Sequence, residues 1–300
     1  MTVSSWITEF GGDGLTSSSA YENGEEQFEP NPNVFNQYPL VAYFFLAYLI
    51  TWVGVSPLVL SAQGLLDIQV SPNLHALGAL GPILAALIVT AFSGGRQAVR
   101  EFMGRLFKWR VGLVWMVISI LSPFAFLLAS AILLRAFGAP WPDFGLLGGA
   151  FAESPWVVNL LIGSFFYGFG EEPGWRGFAL PRLQKNRSAL SATAILYVFW
   201  ALWHVPMLFY RFQFQGIEYF FYFFSMFFGA LWFTFLYNST GGSTLMVALW
   251  HTTWNIVNLF ATVLSPDLQM VMNIFFSVVA VLVVFIGGRA NLSRSGKHTI

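Results

Sequence analysis

The stretch Gly170-Glu171-Glu172-Pro173-Gly174-Trp175-Arg176 follows directly on an apolar run that begins at Trp156 and ends at Phe169. Such a run is typical of a helix in a membrane protein. Two adjacent carboxylates at its end are unusual in a chain with only 14 acidic residues among 300. An ionised group at membrane depth costs a few kcal/mol or more, and therefore usually marks a functional site. We expect other parts of the fold to supply the groups that hold these carboxylates.

The composition indicates a polytopic membrane protein. Hydrophobic residues make up 56% of the chain and charged residues 9%, against roughly 25% charged residues in a soluble domain. The 14 Lys and Arg residues balance the 14 Asp and Glu residues, and no basic run with interleaved aromatics occurs, so no nucleic-acid partner is predicted. Cysteine is absent, which excludes disulfides, thiolate catalysis and cysteine-bound metals.

Turn-rich connectors separate apolar runs that suit a hydrocarbon core about 30 Å thick. We therefore predict an all-α polytopic membrane protein, a bundle of about eight transmembrane helices in the lipid bilayer. The predicted spans are 38–62, 74–92, 111–137, 155–171, 189–210, 217–238, 243–263 and 268–288.

Three regions differ in composition. Residues 1–37 are polar and acidic, contain no Lys or Arg, and predict a flexible tail without a cleavable signal peptide. Residues 38–288 form the predicted transmembrane domain, with the polar motifs confined to 155–263. Residues 289–300 form a basic C-terminal tail.

The basic residues predict the orientation of the bundle. With eight spans, three basic segments share one side, and only Arg135 and Arg211 lie near the other. The positive-inside bias then places both termini and the catalytic side in the cytoplasm, with Glu171 and Glu172 at the cytoplasmic end of the fourth span. The basic residues of the shared side are Arg96, Arg100, Arg105, Lys108, Arg110, Arg176, Arg182, Lys185, Arg187, Arg289, Arg294 and Lys297.

The two carboxylates are expected to differ in role. Glu172 and Arg176 are four residues apart and can pair along one helical face, whereas Glu171 is rotated away from that partner. Pairing stabilises the charged form of a carboxylate, while an unpaired one in a desolvated cavity suits a general base. Glu171 is therefore the predicted base and Glu172 the organiser. Pro173 and the nearby glycines predict a break or kink that aims Glu171 into a cavity.

Two further apolar runs carry histidine. His204 lies in the fifth run and His251 in the seventh, where Asn255 follows four residues later on the same face. A lone intramembrane histidine more commonly hydrogen-bonds between helices than binds a ligand. Polar groups from three separate spans, including Glu171 and Glu172, nevertheless favour one shared interior site over chance.

These strings resemble the motifs of the CPBP intramembrane protease family, also called the ABI family, which includes CAAX prenyl endopeptidases and bacteriocin-processing or immunity proteins. The family motifs are Glu-Glu-x-x-x-Arg, Phe-x-x-x-His and His-x-x-x-Asn or Asp. They correspond to Glu171 to Arg176, Trp200 to His204 and His251 to Asn255. Trp200 stands where the family usually has Phe, from which we expect an altered pocket shape and unchanged chemistry.

The resemblance implies an intramembrane endopeptidase, a hydrolase that acts on a membrane-associated peptide or a lipidated, CAAX-type protein. Glu171 would activate water, His204 would help to bind the water or a metal, and His251 with Asn255 would stabilise the oxyanion. Glu171, His204 and His251 could hold Zn²⁺ with an open position, as in a metalloprotease. Since Asn255 is an unusual zinc ligand, metal-free catalysis by Glu171 stays open.

Two other classes fit parts of the sequence. Intramembrane Glu and His also relay protons in ion-coupled transporters, although related halves with paired broken helices are not visible here. A non-catalytic immunity or scaffold protein with the same fold is the third class. The complete set of Glu171, His204, His251 and Asn255 argues against it.

Overall fold

The computed structural model describes residues 34–152, 155–212 and 214–300, without the side chains of 151, 152 and 155–160. All regular structure in these ranges is helical. The α-helices are α1 Val34–Gln37, α2 Pro39–Ala62, α3 Leu74–Gly78, α4 Gly81–Leu106, α5 Leu113–Ala136, α6 Gly145–Ala152, α7 Pro155–Gly174, α8 Leu180–Lys185, α9 Ala189–Trp203, α10 Glu218–Ser239, α11 Thr244–Leu264 and α12 Pro266–Asn291. A π-helical turn, Trp175–Ala179, joins α7 to α8, and a 3₁₀ turn, Val205–Phe209, follows α9.

The predicted all-α polytopic membrane fold is confirmed, but the count of eight spans is not. Among the described residues, six helical segments are long and apolar enough to cross a membrane. The helices α7 and α11, which carry two of the three polar motifs, are not among them. The six segments are Pro39–Ala62, Leu74–Leu106, Leu113–Ala136, Ala189–Phe209, Glu218–Ser239 and Pro266–Asn291.

The α7 helix does not end at the two carboxylates, contrary to the sequence prediction. It continues past Pro173 into the π-helical turn and then into α8, so that Glu171 and Glu172 lie well inside a long helical segment. A π-helical turn is uncommon and occurs frequently at functional sites. Arg176, predicted to belong to a basic connector, is instead fully buried within this turn.

The glycines around the carboxylates permit close packing of α7 against its neighbours. A Cβ atom on Gly170 would lie 2.5 Å from the carbonyl oxygen of Ala79, and one on Gly174 would lie 2.5 Å from that of Pro82. Larger residues would therefore separate α7 from the start of α4. The sequence suggested that these glycines allow a kink, whereas in the structure they bring backbones together.

Both described chain ends lie at one end of the bundle. In the predicted acidic tail 1–37, residues 34–37 form α1, and the rest lies outside the described residues. Ser93, in the middle of α4 just before its kink at Gly95, donates a hydrogen bond to Phe35 O over 2.9 Å. At the same end, the backbone N–H of His298 donates to Asn238 Oδ1 over 3.1 Å, and Lys297 Nζ donates to Arg187 O over 2.7 Å. The predicted basic tail is therefore bound to the bundle.

The opposite end is formed by the connectors after α2 and after α9. Gln63 Nε2 donates to Phe209 O over 2.8 Å, and His75 Nδ1 lies 2.6 Å from the Tyr210 hydroxyl. Arg176 is buried and is therefore left out of the count of basic residues at the two ends. Of the remaining basic residues, only Arg135 and Arg211 lie at this end. The difference in positive charge between the two ends therefore persists, and the cytoplasmic location of the termini stays a prediction.

Candidate active site

Glu172 is the centre of a buried charged cluster. Arg176 Nη1 donates to Glu172 Oε1 over 3.0 Å, and His251 Nδ1 lies 2.8 Å from the same oxygen. The side chains of Glu172 and Arg176 are fully buried. The pairing predicted from their spacing is present, and His251 from α11 adds a partner that the spacing could not reveal. An ionised carboxylate only accepts hydrogen bonds, so it fixes both donors in place.

Arg176 is also held by aromatic rings. Its guanidinium carbon lies 4.7 Å from the ring centroid of Trp200 on α9 and 4.5 Å from that of Phe233 on α10. A guanidinium over an aromatic face gains cation–π attraction, which is stronger when water is excluded. Phe233 was not singled out from the sequence, because one of 33 phenylalanines gives no local signal.

Glu171 is held by Trp200 and not by a cation. The indole Nε1–H of Trp200 donates to Glu171 Oε2 over 2.9 Å, and Glu171 is 4% exposed. Since only one carboxylate oxygen takes part, Oε1 is left for another ligand. The sequence interpretation gave Trp200 the role of packing the pocket wall. Phenylalanine, which the motif usually has here, cannot donate this hydrogen bond.

His204 is buried one helical turn beyond Trp200. Its Nδ1 lies 2.7 Å from the Trp200 carbonyl oxygen. A carbonyl oxygen only accepts, so Nδ1 carries the proton, and in the neutral ring Nε2 is an acceptor. The Trp200 ring lies edge-on to both imidazoles, with centroid distances of 5.3 Å to His204 and 6.3 Å to His251. The three motifs therefore meet around one indole ring.

Asn255 is less constrained than the other predicted residues. It lies on α11 four residues after His251, is half-buried, and makes no hydrogen bond to another residue in the described ranges. Its amide is therefore free to contact a ligand. The structure places Asn255 on the same helix face as His251 but does not join it to Glu171.

The predicted zinc ligands keep unoccupied donor atoms without forming a preformed cluster. No group of three His, Asp or Glu side chains in the described part of the chain is arranged to hold an ion. The imidazole Nδ1 atoms contact Trp200 O and Glu172 Oε1, and one Glu171 oxygen accepts from the indole. A metal-bound histidine commonly uses its other ring nitrogen for such a contact, so these bonds leave both Nε2 atoms and Glu171 Oε1 available. A zinc ion bound by Glu171, His204 and His251 stays a prediction.

The site continues toward the connector end of the bundle. Tyr167 lies four residues before Glu171 on α7, and its ring centroid is 5.3 Å from that of His75. The guanidinium carbon of Arg211 lies 5.6 Å from the Tyr167 ring. A cavity of about 360 Å³ borders His75, Tyr210 and Arg211. This cavity and the chain termini lie at opposite ends of the bundle. The cytoplasmic location of the termini and of the catalytic side stays a prediction.

The fold and the site define a class: an α-helical, multi-pass membrane protein whose interior holds carboxylates and imidazoles from different helices. Such groups are rare within membrane proteins and mark a functional site by default. Here they come from α7, α9 and α11, and they are buried.

Comparison with known proteins finds a match for the motif region. Residues 153–257 match the family of type II CAAX prenyl endopeptidase Rce1-like proteins. The matched segment includes all three motifs, so the resemblance predicted from them is confirmed for this segment. The chain is also 31% identical over 142 residues to CAAX prenyl protease 2 of Methanococcus maripaludis. That alignment covers 46% of this chain and 51% of the relative, so the chain spans about half the length of the curated relative it matches.

Proposed function

We propose that this chain is an intramembrane endopeptidase that cleaves a membrane-associated, lipidated protein of the CAAX type. The observation that carries the proposal is a buried Glu171, held by the Trp200 indole, beside two imidazoles that each keep one nitrogen for a ligand. A carboxylate base with nearby hydrogen-bonding groups in a water-poor site is what amide hydrolysis requires. The family match and the relative's printed name support the substrate class.

Glu171 is the general base in this mechanism. Its free Oε1 takes a proton from a water molecule, and the water oxygen forms a bond to the carbonyl carbon of the scissile peptide. His204 Nε2, an acceptor in the neutral ring, positions that water. Glu171 then passes the proton to the amide nitrogen, the C–N bond breaks, and the amine leaves. The hydrogen bond from Trp200 keeps the carboxylate aimed at the water throughout.

The oxyanion of the tetrahedral intermediate needs hydrogen-bond donors. The Glu172 carboxylate accepts from His251 Nδ1 and so orients the ring. When the ring carries both protons, its Nε2–H can donate to the oxyanion. The amide of Asn255, four residues further along the same face, supplies a second donor. Arg176 holds Glu172 in place, so it acts through that carboxylate and does not touch the substrate.

The test is cleavage of a farnesylated peptide ending in Cys-Ala-Ala-Leu by the purified full-length chain, with metal content measured on the same samples. Replacing the base in Glu171→Ala is expected to lower the rate by about 10²- to 10⁴-fold. Glu101→Ala is the matched control, because Glu101 is an exposed carboxylate on α4 that accepts only from Gln97.

Wild-type turnover by a folded Glu171→Ala variant would refute the role of Glu171. A stoichiometric zinc ion that Glu171→Ala and His204→Ala both release would replace the metal-free mechanism. Proton-coupled uptake without any cleavage would instead support a transporter.

A further inference from the structure

The cavity at the connector end of the bundle is the second polar site of the molecule. It is an open cavity bordered by the end of α2, the segment leading into α3 and the residues after the 3₁₀ turn. Half of its lining residues are apolar, namely Leu58, Ala62, Val70 and Pro72, and Ser61, His75, Tyr210 and Arg211 supply the polar groups. An apolar cavity with a few converging polar groups is the usual form of a small-ligand or peptide subsite.

The polar groups of this cavity include one cation, Arg211, and three neutral side chains that can form hydrogen bonds. His75 is 6% exposed, and its Nδ1 lies 2.6 Å from the Tyr210 hydroxyl. A tyrosine hydroxyl both donates and accepts hydrogen bonds, so it can also contact a ligand. Within the described residues, no carboxylate forms an ion pair with Arg211. The cavity therefore presents a guanidinium that has no carboxylate partner among the described residues, next to hydrogen-bonding groups.

This cation lies at a defined distance from the predicted base. Tyr167 precedes Glu171 by four residues, which is about 6 Å along the helix axis. Arg211 contacts the ring of that same Tyr167, with 5.6 Å between the guanidinium carbon and the ring centroid. The separation of Arg211 from Glu171 is thus on the order of 10 Å, and three residues of extended peptide also span about 10 Å.

We propose that Arg211 and this cavity bind the free C-terminal carboxylate of the substrate and so limit cleavage to a site about three residues from its end. The proposal rests on the proposed function and adds a specificity-determining subsite to it. A guanidinium is the side chain best suited to a carboxylate, which it binds through two parallel N–H donors. A CAAX-type tail places three residues and a free carboxylate after the lipidated cysteine.

The experiment compares two farnesylated peptides that end in Cys-Ala-Ala-Leu, one with a free carboxylate and one with a C-terminal amide. Binding is measured to Glu171→Gln, the variant expected to bind without cleaving, in neutral-lipid nanodiscs, and cleavage is measured with the wild-type chain. We expect the acid to bind at least about tenfold more tightly than the amide, and to show a similar advantage in kcat/KM. Adding Arg211→Gln should remove this preference, whereas Arg211→Lys should restore part of it.

Arg135→Gln is the matched control, because Arg135 is an exposed arginine at the same end of the bundle, bonded only to the Ala139 carbonyl oxygen. It should keep the full acid preference. Equal binding of acid and amide in the Glu171→Gln background, or an acid preference that survives Arg211→Gln, would overturn the proposal.

A second set of binding and cleavage measurements uses nanodiscs that contain anionic lipid. If the effect of Arg211→Gln follows the anionic lipid fraction and not the peptide terminus, Arg211 binds a lipid headgroup and the proposal fails. The binding arm does not require catalysis. A wild-type chain that binds the acid selectively but cleaves neither peptide would therefore contradict the proposed function alone.

Discussion

Glu171 and Glu172 are neighbours in the chain but lie in opposite electrostatic surroundings. Glu172 is fully buried between the guanidinium of Arg176 and the imidazole of His251, both within 3.0 Å of one oxygen. Glu171 accepts from one neutral donor, the Trp200 indole, and forms no ion pair within the described residues. The difference follows from helical rotation, since adjacent residues point about 100° apart. We infer that Glu172 stabilises the fold, whereas Glu171 keeps one carboxylate oxygen that can act as a base.

The largest effect on stability should come from breaking the Glu172 cluster. Glu172→Ala leaves the Arg176 guanidinium buried without its carboxylate, which should destabilise the fold by about 3 to 5 kcal/mol. Thermal unfolding of the purified protein in detergent measures this loss. The double variant Glu172→Leu with Arg176→Met removes both charges and should recover most of the stability. If Glu172→Ala unfolds like the wild type, the cluster is not structural.

Asn255→Ala tests the opposite property, a change in rate without a change in stability. Asn255 is half-buried and makes no hydrogen bond within the described residues, so its removal should leave thermal unfolding nearly unchanged. Loss of one oxyanion donor typically lowers kcat by about 10²- to 10³-fold. Asn258→Ala is the control on the same helix, because Asn258 is bonded to the Trp254 carbonyl oxygen and to Asn273. An unchanged kcat would remove Asn255 from the mechanism.

A smaller effect is expected from Trp200→Phe, which restores the residue usual in the family motif. An aromatic ring is retained, but Glu171 loses the indole N–H donor, so kcat should fall about tenfold. The hydrogen bond favours the ionised carboxylate that acts as base. Its loss should therefore move the acidic limb of the pH–rate profile to higher pH, by up to about one unit. An altered substrate preference with an unchanged pH profile would instead support packing as the sole role of Trp200.

The orientation of the two ends in the membrane can be tested by labelling single introduced cysteines. The chain contains no cysteine of its own, so an introduced cysteine is the one thiol that can react. Ser71→Cys lies in the exposed connector beside the cavity, and Ser295→Cys lies in the exposed C-terminal segment. The basic residues place the termini in the cytoplasm. A membrane-impermeant maleimide should therefore label Ser71→Cys in intact cells, and Ser295→Cys only after permeabilisation. The reverse pattern would place the cavity in the cytoplasm and contradict the positive-inside prediction.

The motifs predicted which residues belong to the site but not all of their contacts. The Glu172 and Arg176 pair could be predicted, because both residues are on one helix and their spacing fixes the geometry. The bond between Trp200 and Glu171 joins α9 to α7 and depends on how the two helices pack. The sequence identified Arg211 only as one of two basic residues near its end of the bundle and did not predict its place beside a cavity.

The sequence by itself determined the all-helical membrane fold and the chemical types in the site, because desolvation acts on each residue according to its own polarity. It did not determine where α7 ends, since Pro173 and the glycines are compatible with both a break and a continuous helix. Tertiary structure decided that the helix continues, that Arg176 is buried, and that the cavity and the chain termini lie at opposite ends. These features depend on contacts between helices distant in sequence, such as Gly170 against Ala79, which no local pattern encodes.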